Sequence, residues 1–114
     1  MAPVLRIRLA LSPRGELRGF EAEGHAGALA AGSNTACAAA TSLLRTAGTL
    51  CAERGLVQAG GAPEPGLMRM RLAAAVDRDE AWLRGVADFL LRGLTDLARE
   101  FPREILVRTE QTEV

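Results

Sequence analysis

Apolar and polar residues alternate along residues 3 to 11, with Leu5, Ile7, Leu9 and Leu11 on one side and Arg6 and Arg8 on the other. A period of two is the signature of a strand buried on one face. Ser12, Pro13, Arg14 and Gly15 follow and predict a turn, because proline presets the dihedral of the second position and glycine suits the fourth. A second strand is predicted from Leu17 to Glu23, with Phe20 and Ala22 facing inward. Gly24 stops this alternation and permits a bulge or hinge just before His25, so strand parity does not say where the imidazole points.

From Gly24 to Asn34 the chain is small, with Gly24, Gly27 and Gly32 and no strong period, which predicts a mobile loop. A helix is expected from Thr35 to about Arg54. Ala40, Leu43, Leu44, Ala47, Leu50 and Cys51 form its apolar stripe, and Asn34 or Ser33 serves as its N-cap. Gly55 fits a helix stop. A weak strand at Leu56 to Ala59 then leads into a Gly/Pro-rich turn, Gly60 to Gly66. The next strand, Leu67 to about Ala75, sets Met68, Met70 and Leu72 against Arg69 and Arg71. Asp77 followed by Glu80 reads as a capping box opening a second helix. Its stripe is Trp82, Val86, Phe89, Leu90, Leu94, Leu97 and Phe101, and Pro102 ends it. Ile105 and Val107 supply a last edge strand.

Two helices with one wide apolar face each and four or five amphipathic strands imply an α+β fold. The expected architecture is a two-layer sandwich, with both helices on one face of a mainly antiparallel sheet. A length of 114 residues suits a single domain, and no internal repeat is visible.

Composition adds limits. The 14 basic residues, all arginine, balance 14 acidic ones and are spread along the chain, which argues against direct binding of nucleic acid. No signal-peptide apolar core and no run long enough to span a bilayer are present, so the expected location is the cytoplasm, without a membrane partner. Cys37 and Cys51 fall on one predicted helix. Fourteen residues at about 1.5 Å each separate them by about 21 Å, beyond disulfide reach.

The chain has one histidine and neither tyrosine nor lysine, which leaves His25 as the general base to test near neutral pH. Cys37 falls near the third position of the first helix, where backbone N–H groups and the positive end of the helix dipole stabilise a thiolate. A thiolate beside an imidazole is the pair that acyl transfer by a thiol requires. Composition alone allows a plainer role, because cysteine is commonly a small core residue; Cys51, in mid-stripe, is assigned to the core.

The stretch Gly24-His25-Ala26-Gly27, followed by Gly32-Ser33-Asn34-Thr35-Ala36-Cys37-Ala38-Ala39-Ala40-Thr41-Ser42, resembles the signature of the ribosomal-processing cysteine protease family, Prp. There a Gly-His-Ala element precedes Gly-x-Asp-x-Val-Cys-Ala-Ala-x-Ser at this separation. The resemblance extends less sharply to nearly the whole chain. It implies that His25 and Cys37 are the catalytic pair, that Ser42 is the serine one turn beyond the nucleophile, and that Gly24 and Gly32 bound a substrate loop. It further implies removal of the N-terminal extension of large-subunit ribosomal protein twenty-seven, by a homodimer that needs no cofactor or metal. Asn34 stands where the family carries aspartate; as a helix cap the two are nearly equivalent. Ala36 replaces the family's valine. The rival reading is a non-catalytic ribosome-assembly factor whose Cys37 is structural, with Arg6, Arg8, Arg69 and Arg71 on one sheet face.

Overall fold

The computed structural model describes residues 5–24, 35–64, 66–73 and 77–113. In chain order the elements are β1 (Leu5–Leu11), β2 (Leu17–Glu23), α1 (Thr35–Glu53), β3 (Val57–Glu64), β4 (Leu67–Leu72), α2 (Asp77–Glu100) and β5 (Ile105–Gln111). The strands form one sheet in the order β3-β4-β2-β1-β5. All pairings are antiparallel except that of β1 with β5. The fold is the expected α+β arrangement.

The alternation seen in the sequence sets the register. Leu9 pairs with Phe20 and Phe20 with Met70, while Ile7 pairs with Ala22 and Ala22 with Met68. One face of the sheet is therefore apolar, and the two helices close over it in a single buried cluster. The other face carries Arg8, Glu21 and Arg69 in one cross-strand row, with Arg8 and Arg69 both ion-paired to Glu21. Gly19 sits in the tightest part of the sheet. A Cβ there would lie 2.5 Å from the Met70 carbonyl oxygen, so only glycine lets β2 and β4 approach.

The turn after β1 closes as its residues predict, with the Gly15 N–H donating to the Ser12 carbonyl. Ser12 Oγ also accepts from the Glu16 N–H at 3.0 Å. At the end of α1, the Gly55 N–H donates to the Ala52 carbonyl and the Leu56 N–H to the Cys51 carbonyl. This is the paired ending in which an apolar residue folds back onto the last turn, and Leu56 and Cys51 are both buried. Arg54 then reaches across to α2. Its guanidinium lies 4.1 Å from the Trp82 ring centroid and 3.1 Å from the buried Asp79 carboxylate, a stacked ion pair that fixes the two helices at this end.

Three expectations change. Gly60 to Gly66 is not a long turn: β3 runs on to Glu64, and only a tight reversal around Gly66 remains. Glycine and proline survive there because β3 is an edge strand whose register shifts twice against β4. In α1 the buried line is Ala36, Ala40, Leu44, Ala47 and Cys51, and Leu50 is 44% exposed. In α2 the buried line is Leu83, Ala87, Leu90 and Leu94, and Phe89 is 67% exposed. In α1 alanines take three of the five buried positions, whereas the buried line of α2 is mostly leucine, so the size of an apolar residue does not tell which face is buried.

Leu94→Ala should destabilise the protein by about 2–5 kcal/mol, because it opens a cavity in the core. Phe89→Ala should shift stability by less than about 0.5 kcal/mol, as an exposed position does. Urea unfolding followed by circular dichroism measures both; similar losses for the two would mean that α2 is rotated from the orientation described.

Candidate active site

β2 ends at Glu23, and Gly24 follows with φ +95°, a backbone conformation that side-chain-bearing residues rarely adopt. Its N–H donates to the Gly66 carbonyl at 2.7 Å, which fastens the end of β2 to the reversal between β3 and β4. The segment leading to α1 thus departs from an anchored point.

Cys37 is the third residue of α1, after Thr35 and Ala36. It is half-buried and packs against the margin of the core. Ala36 and Ala40 on either side of it are buried in the core cluster, so the packing of the helix determines where the thiol sits. Cys37 Sγ lies 4.0 Å from Thr41 Oγ1, one turn along the helix. Either group can donate in this contact. The β-branch of threonine limits it in a helix to two main rotamers, one of which sets the hydroxyl against the sulfur here.

Of the expected site residues, Gly24, Cys37 and Ser42 fall within the described residues; His25, Gly32 and Asn34 lie outside them. Ser42 is exposed. The hydroxyl that meets the thiol belongs to Thr41, four residues beyond the cysteine rather than five. Counted from its cysteine, the element Cys-Ala-Ala-x-Ser also places its hydroxyl residue at Thr41. Helical spacing alone could have singled it out, since residues four apart share a face.

The second thiol contrasts with the first. Cys51 is fully buried, and neither cysteine is in a disulfide. Burial pushes the Cys51 thiol above its ordinary value of 9.0, and the nearby Arg54 charge offsets part of that rise. A buried, neutral thiol is a poor nucleophile. Among the described residues no group of three or more His, Cys, Asp or Glu side chains could hold a metal ion, and no helix is long and apolar enough to cross a membrane.

A half-exposed thiol at a helix start, backed by a hydroxyl on the next turn, suits acyl transfer through sulfur. The chain belongs to the cysteine protease Prp family, whose sequence profile matches residues 4–106. No curated protein matches it at a significant level. Among solved structures, the fold resembles that of an essential ribosomal processing protease Prp from S. aureus in complex with a covalently linked product peptide, at TM-score 0.75 and 16% identity, covering 94% of this chain and 100% of that one. The same S. aureus protease in complex with a substrate peptide gives TM-score 0.72 at 15% identity, again over 94% and 100% of the two chains. SMU.848 from Streptococcus mutans gives TM-score 0.74 at 20% identity over 96% of each chain.

Native protein treated with iodoacetamide should gain one adduct, at Cys37, with Cys51 reacting only after denaturation; peptide mapping shows which. Because folding raises the Cys51 pKa, its contribution to stability is complete below the ordinary thiol value and is lost as pH climbs through the raised one. The urea midpoint should therefore fall as pH rises above about 9.0, and Cys51→Ala should flatten that fall.

Proposed function

We propose that the protein is a cysteine endopeptidase in which Cys37 is the nucleophile and His25 the general base. The carrying observation is the placement of Cys37, half-buried at the third position of α1 with its sulfur against Thr41 Oγ1. Membership of a cysteine protease family supports the same role.

In this mechanism the Cys37 thiolate attacks the peptide carbonyl carbon and a tetrahedral oxyanion forms. The backbone N–H groups at the start of α1, that of Cys37 included, are suited to receive it. The carbon–nitrogen bond breaks as imidazolium His25 gives its proton to the leaving amine, and a thioester remains. Water then attacks the thioester while His25 takes a proton from it. The carboxylate product leaves and the thiolate returns. Thr41 holds the sulfur in position, while Asn34, Gly24 and Gly32 keep the supporting roles that the sequence assigns them. No step calls for a cofactor.

The substrate in this reading is the N-terminal extension of large-subunit ribosomal protein twenty-seven, removed during ribosome assembly by a cytoplasmic homodimer. The support is the family resemblance around His25 and Cys37, together with the likeness to a ribosomal processing protease.

Mass spectrometry of the organism's own ribosomal protein, incubated with the enzyme, tests this. Wild-type protein should trim the extension, and Cys37→Ser and His25→Ala should leave it whole. A trimmed product at the wild-type rate from either variant refutes the catalytic assignment. Thr41→Val keeps the shape and removes the hydroxyl, so it should lower kcat about two- to tenfold with KM unchanged, the effect of one ordinary hydrogen bond.

A further inference from the structure

Arginines dispersed along the sequence come together on the sheet face turned away from the helices. Arg6 and Arg8 come from β1, Arg69 and Arg71 from β4 and Arg108 from β5, and Arg18 joins them from β2. Glu21, Glu23 and Glu110 lie among them, but their charge is shared unevenly. Glu21 is 3.2 Å from Arg8 and 3.1 Å from Arg69, and Glu110 is 3.5 Å from Arg8. Among the described residues neither Arg18 nor Arg71 has an ion-pair partner.

The unmatched charge sits at one end of the face, where β2 carries an extra residue. Ala10 pairs with Gly19 and Leu11 with Leu17, so Arg18 lies in the bulge between them. Its neighbour Gly19 pairs with Arg71, so the two arginines start from adjacent strands, about 5 Å apart. Both line one open depression of about 440 Å³, in which Ala10 and Gly19 contribute no side chain beyond a methyl. Arg18 is held in place there by Nη1, which donates to the Ala73 carbonyl at 2.9 Å, while its Nε is buried without a hydrogen-bond partner. Buried donors are nearly always paired in folded proteins. An acceptor entering the depression meets a guanidinium already oriented by the protein, with no carboxylate to displace.

We infer that this depression is a binding site for a small phosphate monoester, a nucleoside or sugar monophosphate, with Arg18 and Arg71 as its two forks. A phosphate monoester carries close to two negative charges at neutral pH, which matches two unpaired arginines, and its three outer oxygens can serve both guanidinium groups. A carboxylate has one charge and two oxygens. The volume suits a ligand of this size. Phe20 borders the depression but is buried on the core side, so no aromatic face is offered for a base and recognition falls on the phosphate. The glutamates interrupt the rest of the face as a track for a long polyanion, which confines the site to this end. Cys37 packs on the core side of the sheet, so the site stands apart from the peptidase reading and does not rest on it.

Proton–nitrogen NMR of the full-length protein, titrated at neutral pH and constant ionic strength, tests this. Uridine 5′-monophosphate and ribose 5-phosphate should both shift the Arg18 Nε–Hε signal and the Gly19 and Arg71 amides saturably and with like affinity. Uridine and acetate should bind about tenfold or more weakly, lacking the charge-assisted hydrogen bonds of the phosphate. Arg71→Gln removes one fork and Ala10→Glu sets a carboxylate in the depression, and each should weaken the monophosphates by about tenfold or more, with the remaining signals in place. Arg99→Gln, on α2 beside Asp96, should leave the affinity unchanged. Absence of a saturable shift at these signals overturns the inference, as does binding that acetate or uridine equals or that survives both variants. Tighter binding of an oligouridylate without a terminal phosphate also overturns it, by assigning the face to a nucleic-acid backbone.

Discussion

The position of the reactive thiol depends on how α1 packs into the core. Ala36, Ala40 and Ala47 supply three of the five buried contacts along the helix, with Leu44 and Cys51 as the larger ones. Small side chains let α1 pack closely into the core, and the apolar floor of Ile7, Leu9, Phe20 and Ala22 is laid down by the register of β1 and β2. Cys37 lies between two of those alanines. It therefore occupies a place set largely by packing, half in and half out of the core, with Thr41 Oγ1 against its sulfur. At the opposite end the stacked Arg54, with Asp79 and Trp82, ties α1 to the start of α2.

Burial separates the two cysteines into different chemistry. They share a helix and differ by 14 positions, yet one sits at its start, within reach of solvent and of a hydroxyl, and the other is sealed among apolar groups. The same desolvation that stabilises Cys51 as a neutral core residue makes it unreactive. Reactivity in this chain is thus assigned by depth, since residue type alone does not distinguish the two.

Much of this was legible along the chain, because alternation of residues such as Leu5, Ile7 and Leu9 forces a strand to present one face to the core. The bounds of β2 and the start of α1 follow from that rule and from the change of period after Gly24. The edge position of β3 was not legible, although that of β5 was. Gly60, Gly61 and Pro63 are poor residues for a central strand, and only the sheet order reveals that β3 has a single neighbour. Phe89 and Leu50 misled for a related reason: large apolar residues widen a helical stripe on paper, while the contact itself is made by smaller neighbours such as Ala87 and Ala47. At the site, Cys37 and His25 stood out by residue type and by their resemblance to a family motif. The hydroxyl of Thr41 was legible only through helical spacing, since it lies four residues from Cys37 and so shares its face of the helix.

The parallel pairing of β1 with β5 joins Leu5 to Ile105 and Leu11 to Gln111, so contacts spanning about 100 residues complete the sheet. Until the segment carrying β5 has been made, β1 is itself an edge with an unfilled row of hydrogen-bonding groups. Loop closure over such a span is slow compared with forming the hairpin of β1 and β2. During synthesis the sheet therefore stays open along β1 until β5, the element most distant from it in sequence, has joined.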